Sequence, residues 1–307
     1  MNNILTVGKY KGKSFQEVYD RHKKYAVYIQ IADIRNPSLL EFRKWMKDQE
    51  PIVGPTKFIL GRGSNIDDII GEPDIIYHGL NGQSRGKHLE WVAKNKLYSQ
   101  YGAFIDHLIR YLISYELDLP SKDWRSEDII EKYSETTTYI PRLKKSYQRY
   151  TSILPIDDVL PDIWIVSLSH GFWFNRKLKK LNRLERLSKK IPSQLIDQSV
   201  FDNITDFIGM FDLTSSELNP RLSCDGIPLI GDADIILENT LIDIKTSSTY
   251  IGSKIDDFYQ LYYYAMLRNL SDDCRKIKYL VIFNPLRGYF RKIDVSEFNW
   301  RSLADFC

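Results

Sequence analysis

The sequence predicts an α/β fold with a mixed central sheet, and three observations in its C-terminal third carry that expectation. Apolar runs without polar alternation, "GIPLIGDADIIL" (Gly226–Leu237), "LIDIKTS" (Leu241–Ser247) and "KYLVIFNP" (Lys278–Pro285), read as strands buried on both faces. Between the second and third lies "SKIDDFYQLYYYAMLRNL" (Ser253–Leu270), a helical segment of the kind that links parallel strands. Between the first two sits "ENT" (Glu238–Thr240), a short polar connection that closes an antiparallel hairpin. A last strand, "GYFRKIDVS", follows.

From the N-terminus, residues 1–50 form a small accessory unit: a basic, glycine-punctuated turn "VGKYKGKSF", a short helix, and a second helix at "PSLLEFRKWMKD". Residues 51–307 form the main domain. Proline, glycine and asparagine crowd Pro51 to Gly86, which predicts loops with a short strand at "KFIL" (Lys57–Leu60). Phe104, Leu108, Tyr111 and Leu112 recur at helical spacing in "SQYGAFIDHLIRYLISYEL", predicting a long helix over 98–117. No single period dominates Pro120 to Pro161. "DIWIVSLS" (Asp162–Ser169) is predicted as a strand; "NRKLKKLNRLERLSKK" and "PSQLIDQSVFDNITDFIGMF" are predicted as helices.

Bulk composition narrows the class more than the function. A chain of 307 residues with 43% hydrophobic content buries a substantial core as one large or two modest domains. Net charge is only +3, so any nucleic-acid partner has to be argued from local charge and from a site. Cys224, Cys274 and Cys307 are scattered, with no Cys-x-x-Cys pair, which predicts reduced thiols rather than a disulfide frame or zinc site. No apolar leader or bilayer-length apolar run is present, so the expectation is a soluble, intracellular protein, cytoplasmic or nuclear according to host.

Two acids in the hairpin carry the functional question. With "ENT" as the turn, Leu237 falls about opposite Leu241 and Asp234 about opposite Asp243, with Cβ atoms roughly 4.5–5.5 Å apart. Alternation places Asp243 and Lys245 on one face, Ile242 and Ile244 on the other. Carboxylates held that close repel each other unless a cation joins them, and hard oxygen ligands suit Mg²⁺ or Mn²⁺. A lysine beside them can orient a water or stabilise the charge of a phosphorane-like transition state. Asp243-Ile244-Lys245 is the only acid-x-Lys triplet in the 307 residues, and it lies on a predicted strand behind a matching acid. The competing reading is a salt-bridged hairpin with exposed charges.

Asp234, Asp243-Ile244-Lys245 and the later Gln260-Leu261-Tyr262-Tyr263-Tyr264 resemble the PD-(D/E)XK nuclease superfamily, in its RecB-like and lambda-exonuclease-like branches. Those branches carry G-x-x-D, D-x-K and Q-x-x-x-Y. The likeness covers residues 225–293 and implies a restriction-endonuclease-like core, a mixed sheet flanked by helices. It implies metal held by Asp234, Asp243 and the main-chain carbonyl of Ile244, with Lys245 catalytic and Gln260 and Tyr264 touching nucleic acid or orienting the lysine. No proline precedes Asp234, a departure the RecB-like branch often shares. Pro73-Asp74 and Pro161-Asp162 lack an acid-x-Lys partner and are set aside.

The same branches carry a further acid or histidine on an upstream helix, G-x-x-x-(H/D/E). Gly102 lies four residues before Asp106, and His107 follows; the two point about 100° apart on a helix, so only one can face a metal. Asp106 is chosen as the metal ligand, since Phe104 and Leu108 flank it and Arg110 lies one turn on.

Two basic segments extend the expectation to DNA. "FWFNRKLKKLNRLERLSKK" sets Lys177, Lys180 and Arg183 among eight cations against one acid, outside a leucine stripe, a pattern that tracks phosphates or is simply a solvated face. Near the N-terminus, Lys9, Lys11 and Lys13 alternate with Tyr10 and Phe15, in a stretch resembling a small module attached to some DNA-processing exonucleases. The expected function is Mg²⁺-dependent DNA hydrolysis, an exonuclease of recombination, repair or replication. The alternatives are a sequence- or structure-specific endonuclease and a catalytically silent DNA-binding subunit. A second copy of the chain or a replication or recombination protein is compatible as partner.

Overall fold

A computed structural model describes residues 3–22, 25–26, 29, 36–46, 52–53, 69–71, 73–84, 87–133, 139–173, 178–189, 195–225, 227–246, 256–271 and 274–306. At the N-terminus, helices α1 (Phe15–Arg21) and α2 (Pro37–Met46) close a cluster of their own around Leu5, Val18, Phe42 and Met46. Ser14 caps α1 by accepting from the Glu17 amide at 3.1 Å, and α2 opens on proline, whose fixed φ suits a first helical turn.

Strands β1 (Ile52–Val53) and β2 (Ile76–Gly79) follow, then α3 (Lys87–Asn95), α4 (Tyr98–Glu116), α5 (Trp124–Lys132), α6 (Tyr139–Tyr150), α7 (Ile156–Trp173), α8 (Leu178–Ser188) and α9 (Gln198–Ile208). The remainder is β3 (Glu217–Leu218), β4 (Arg221–Cys224), β5 (Ile227–Asp232), β6 (Ile235–Leu237), β7 (Thr240–Ile244), α10 (Asp256–Leu270), β8 (Tyr279–Asn284), β9 (Tyr289–Asp294) and α11 (Trp300–Phe306). The fold is α/β. A mixed six-stranded sheet runs β2-β9-β8-β7-β6-β3, and β7 and β8 are its parallel pair, joined through α10.

The central strands β6, β7 and β8 are buried on both faces, as their unbroken apolar runs predict. Ile235, Ile242, Val281 and Phe283 meet the helices from α4 to α9 on one side; Ile236, Leu241, Leu280 and Ile282 meet α10 and α11 on the other. A second, three-stranded sheet runs β1-β5-β4.

Four expectations are corrected. "DIWIVSLS" is not a strand but the middle of α7, where Ile163, Trp164, Ile165, Val166 and Leu168 are all buried. Ser167 and Ser169 return their hydroxyls to the carbonyls of Trp164 and Val166 at 2.8 and 2.6 Å, so no polar face betrays the helical period. Pro51–Gly86 is not all loop, since it holds β1 and the exposed edge strand β2, while "KFIL" lies outside the described residues.

"GIPLIGDADIIL" is two strands, β5 and β6, broken at Ala233–Asp234. Opposite that break the partner strand is interrupted at Asn219 (φ 52°) and Pro220; Ala233 donates to Pro220 O at 3.1 Å and Asn219 to Asp234 O at 2.8 Å. The two-stranded ribbon therefore turns a corner from one sheet into the other at Asp234. Finally, the β6–β7 loop is two residues, Glu238–Asn239, so Leu237 pairs with Thr240 rather than Leu241. Glu238 takes the strained left-handed conformation (φ 51°), braced where Arg275 Nη1 donates to its carbonyl at 2.9 Å.

Candidate active site

The corrected register brings the two acids together. Ile235↔Ile242 is the last ladder pair, so one step further places Asp234 level with Asp243. At the ribbon corner Asp234 leaves the ladder and turns its carboxylate toward β7, where Oδ2 accepts from the Ile244 amide at 2.8 Å. Asp243 is 6% exposed, and its Oδ2 lies 2.7 Å from Lys245 Nζ. Lys245 is held by its own amide, which donates to Phe283 O at 2.8 Å, while its side chain stays about one-third exposed at 32%. Ile242 and Ile244 face the opposite layer, as alternation requires.

Helix α4 supplies a third acid. Gly102 packs just past the end of β7: a Cβ there would come within 2.9 Å of Thr246 Oγ1, so a larger residue would require that side chain to shift. One turn on, Asp106 meets the charge of Asp234. Burial, then that repulsion, pushes the Asp106 carboxyl up to about 6 against the pull of Arg110. Asp234 is likewise pushed up to about 6, by burial and by the negative charge of Asp243, with the Ile244 N–H opposing. Arg110, 1% exposed, donates through Nη2 to Asp106 Oδ2, leaving Asp106 Oδ1 buried with no hydrogen-bond partner among the described residues.

His107 points elsewhere. It is fully buried among the helices, its Nδ1 lies 3.3 Å from Tyr150 Oη, and burial and the Arg110 charge hold its pKa well below the ordinary range. The acid, not the histidine, faces the hairpin.

A buried polar layer lies behind these acids, and sequence reasoning missed it. Arg125 on α5 is 4% exposed and reaches Asp232 Oδ2 at 3.2 Å, two residues before Asp234. Asp123 caps α5, accepting from the amide and hydroxyl of Ser126 at 3.0 and 2.6 Å; the Ser126 hydroxyl also lies 2.8 Å from that of Ser169 on α7. The available signal was the N-cap pattern Asp123-Trp124-Arg125-Ser126 in a segment that otherwise lacks a period.

Gln260 and Tyr264 share a face of α10, and Gln260 Nε2 donates to Tyr264 Oη at 2.6 Å. Tyr264 is buried and lies on Gly231, where a Cβ would sit 2.2 Å from its ring. Its place is therefore a brace behind the Asp234 corner, and Gln260 alone of the two is part-exposed. Of the basic residues, Lys9, Lys11 and Arg183 are exposed; Lys177 and the Lys180 side chain lie outside the described residues. Leu184 and Leu187 anchor α8 inward, and Arg183, Arg186 and Lys189 face outward.

Among the described residues, no group of three His, Cys, Asp or Glu side chains closes around an ion by itself. Mg²⁺ does not require such a cage, because it keeps several waters and binds through one or two carboxylates plus substrate phosphates. Hard acidic oxygens, two of them penalised by burial and mutual repulsion, and the orphaned Asp106 Oδ1 fit such an ion. Among the described residues no helix is long and apolar enough to cross a membrane. Compared with known proteins, the chain matches no family profile, no curated protein and no solved structure.

Proposed function

We propose that this chain is a metal-dependent nuclease that hydrolyses DNA phosphodiester bonds on a restriction-endonuclease-like core. One observation carries the reading: Asp106 on α4 feels the charge of Asp234 at the ribbon corner, Asp234 feels that of Asp243 on β7, and Asp243 is paired with Lys245. The order helix, hairpin, crossover helix, parallel strand supports it, because that order brings the motifs to one end of the sheet.

In this reading Asp106, Asp234, Asp243 and the Ile244 carbonyl hold Mg²⁺ or Mn²⁺, which when bound polarises the phosphodiester and acidifies a water. Asp234 is fixed by the Ile244 amide and Asp106 by Arg110, so neither has to be ordered during turnover. Lys245 keeps its ammonium at the mouth of the site, where negative charge develops on the phosphorus oxygens, and Asp243 aims it. Exposed Lys9, Lys11 and Arg183 would track phosphates. The thiols Cys224 and Cys274 suit a reducing, intracellular compartment.

Incubation with linear and circular DNA in Mg²⁺ and in EDTA is the test. We expect cleavage of linear DNA that EDTA abolishes. Cleavage of circles would make it an endonuclease, binding without cleavage a silent subunit, and full cleavage in EDTA would end the metal reading.

A further inference from the structure

A cavity of about 260 Å³ opens between α3, the first turns of α4 and Thr246, the residue after Lys245. Val92, Tyr101 and Leu286 wall it with apolar surface, Tyr98 stands at its rim 55% exposed, and Glu90 is the one charged lining residue among the described residues. We propose that this cavity takes one unpaired nucleobase of the substrate strand, with Tyr98 as the stacking surface. The proposal rests on the nuclease reading above and narrows its substrate to DNA with single-stranded or frayed ends.

Helix α4 links the two places. Tyr98, Gly102 and Asp106 stand at i, i+4 and i+8, one stripe of the helix, so the cavity rim and the metal-facing acid are roughly 12 Å apart along it. Gly102 sits between them and packs against Thr246, whose hydroxyl would lie 2.9 Å from a Cβ there, so this stripe of α4 runs directly along the Thr246 wall of the cavity. Thr246 follows Lys245 directly and lines the cavity, so a strand whose phosphate rests at Lys245 would pass this opening.

Size and charge select the part of the nucleotide that enters. Sites for drug-sized ligands run from about 300 Å³ upward, so this cavity holds one ring system and excludes a base pair. The Glu90 carboxylate repels a phosphate but accepts from an exocyclic amine. Tyr101 is committed elsewhere, its hydroxyl donating to Leu195 O at 3.0 Å, which makes it a fixed wall. Tyr98 is the ring left accessible for stacking, which is worth a loss of roughly 5- to 150-fold in affinity when such an aromatic is cut to alanine.

The test is a fluorescence titration of the full chain with a short single strand carrying 2-aminopurine, in EDTA so that no strand is cut. Wild type should quench the probe. Tyr98→Ala and the cavity-filling Val92→Trp should each weaken binding within that range, Tyr98→Phe should restore it, and a closed, fully paired hairpin should show no dependence on Tyr98. Equal dissociation constants for wild type and Tyr98→Ala on the single strand would overturn the proposal. Binding is read without turnover, so the two readings fail separately. Cleavage without Tyr98-dependent binding refutes only the base pocket, and Tyr98-dependent binding without cleavage refutes only the nuclease.

Discussion

The acids of the candidate site come from two sides that hold their charges differently. On the sheet side, Asp234 and Asp243 are placed by backbone: a ladder register, a ribbon corner and the Ile244 amide. On the helix side, Asp106 is placed by another side chain, Arg110, above a buried layer in which Arg125 holds Asp232 and Asp123 holds Ser126. A strand pair fixes side-chain direction through bonds it makes anyway, so its charged groups stay available for chemistry. A helix face has no such lattice, and each acid on it needs a dedicated, equally buried partner. In the proposed reading the sheet side supplies Asp234, Asp243 and Lys245, and the helix side supplies Asp106 together with the buried partner that holds it.

The sharpest way to break that assignment is to remove one partner on the helix side. Arg110→Met leaves Asp106 buried and uncompensated, and breaking a buried ion pair by one partner costs about 3–5 kcal/mol. Denaturant melts should show that loss, and adding Asp106→Asn should recover much of it. A stable Arg110→Met protein would mean that Asp106 is held by something other than the arginine.

Sheet-side substitutions should do the opposite, sparing the fold and removing the reaction. Lys245→Ala should lower turnover by about 10²–10³ while DNA binding persists. Asp243→Asn should also be inactive, and Mg²⁺ should raise the melting temperature of wild type but not of this variant, since an ion that binds only the folded state stabilises it by mass action. If instead Asp243→Asn unfolds the protein and Mg²⁺ shifts neither melt, the hairpin carries a structural ion pair and nothing more.

Legibility in the sequence follows the same division. The hairpin, α10 and β8–β9 were readable because strand burial and turn residues are local signals, and Asp234, Asp243 and Lys245 needed only a count outward from the turn. That count erred by one at the loop, because Glu238 rather than a glycine takes the left-handed position. The break at Ala233–Asp234 was not readable, since Asn219 and Pro220, far back in the chain, impose it. The helix side was nearly closed to sequence reasoning: α7 has no polar face, and Arg125 gains meaning only when the fold carries it to Asp232. For the upstream helix the sequence offers both Asp106 and His107, and the coupling of Asp106 to Asp234 is a tertiary fact that spacing does not reach.

A smaller effect comes from pH. Asp106 and Asp234 are both pushed up to about 6, above the range of an unfolded chain, so the folded metal-free protein binds protons there that the unfolded chain has released. Stability contributed by these protonated acids is full below about pH 4 and lost as pH rises through 6. In EDTA, Asp234→Asn should therefore gain stability relative to wild type between those values and above. A gap between the two melts that does not widen with pH would show that Asp234 ionises freely.

The smallest expected effect lies outside both sides, on α8. Leu184 and Leu187 fix which face of that helix is buried, so Arg183, Arg186 and Lys189 must point outward together. Lys189 is engaged with Glu185 at 2.7 Å, a surface pair worth little, so it remains recruitable by a phosphate. If this face follows DNA, reversing Arg183 and Arg186 to glutamate weakens binding and reduces the slope of log affinity against log salt by about 0.9 per lost duplex phosphate contact. The chemical step, measured at saturating DNA, should not change, because both residues lie on the exposed face of α8. An unchanged salt slope would make α8 an ordinary solvated helix and would leave the track of the DNA to Lys9 and Lys11, where the same measurement on Lys9→Glu and Lys11→Glu decides between the two surfaces.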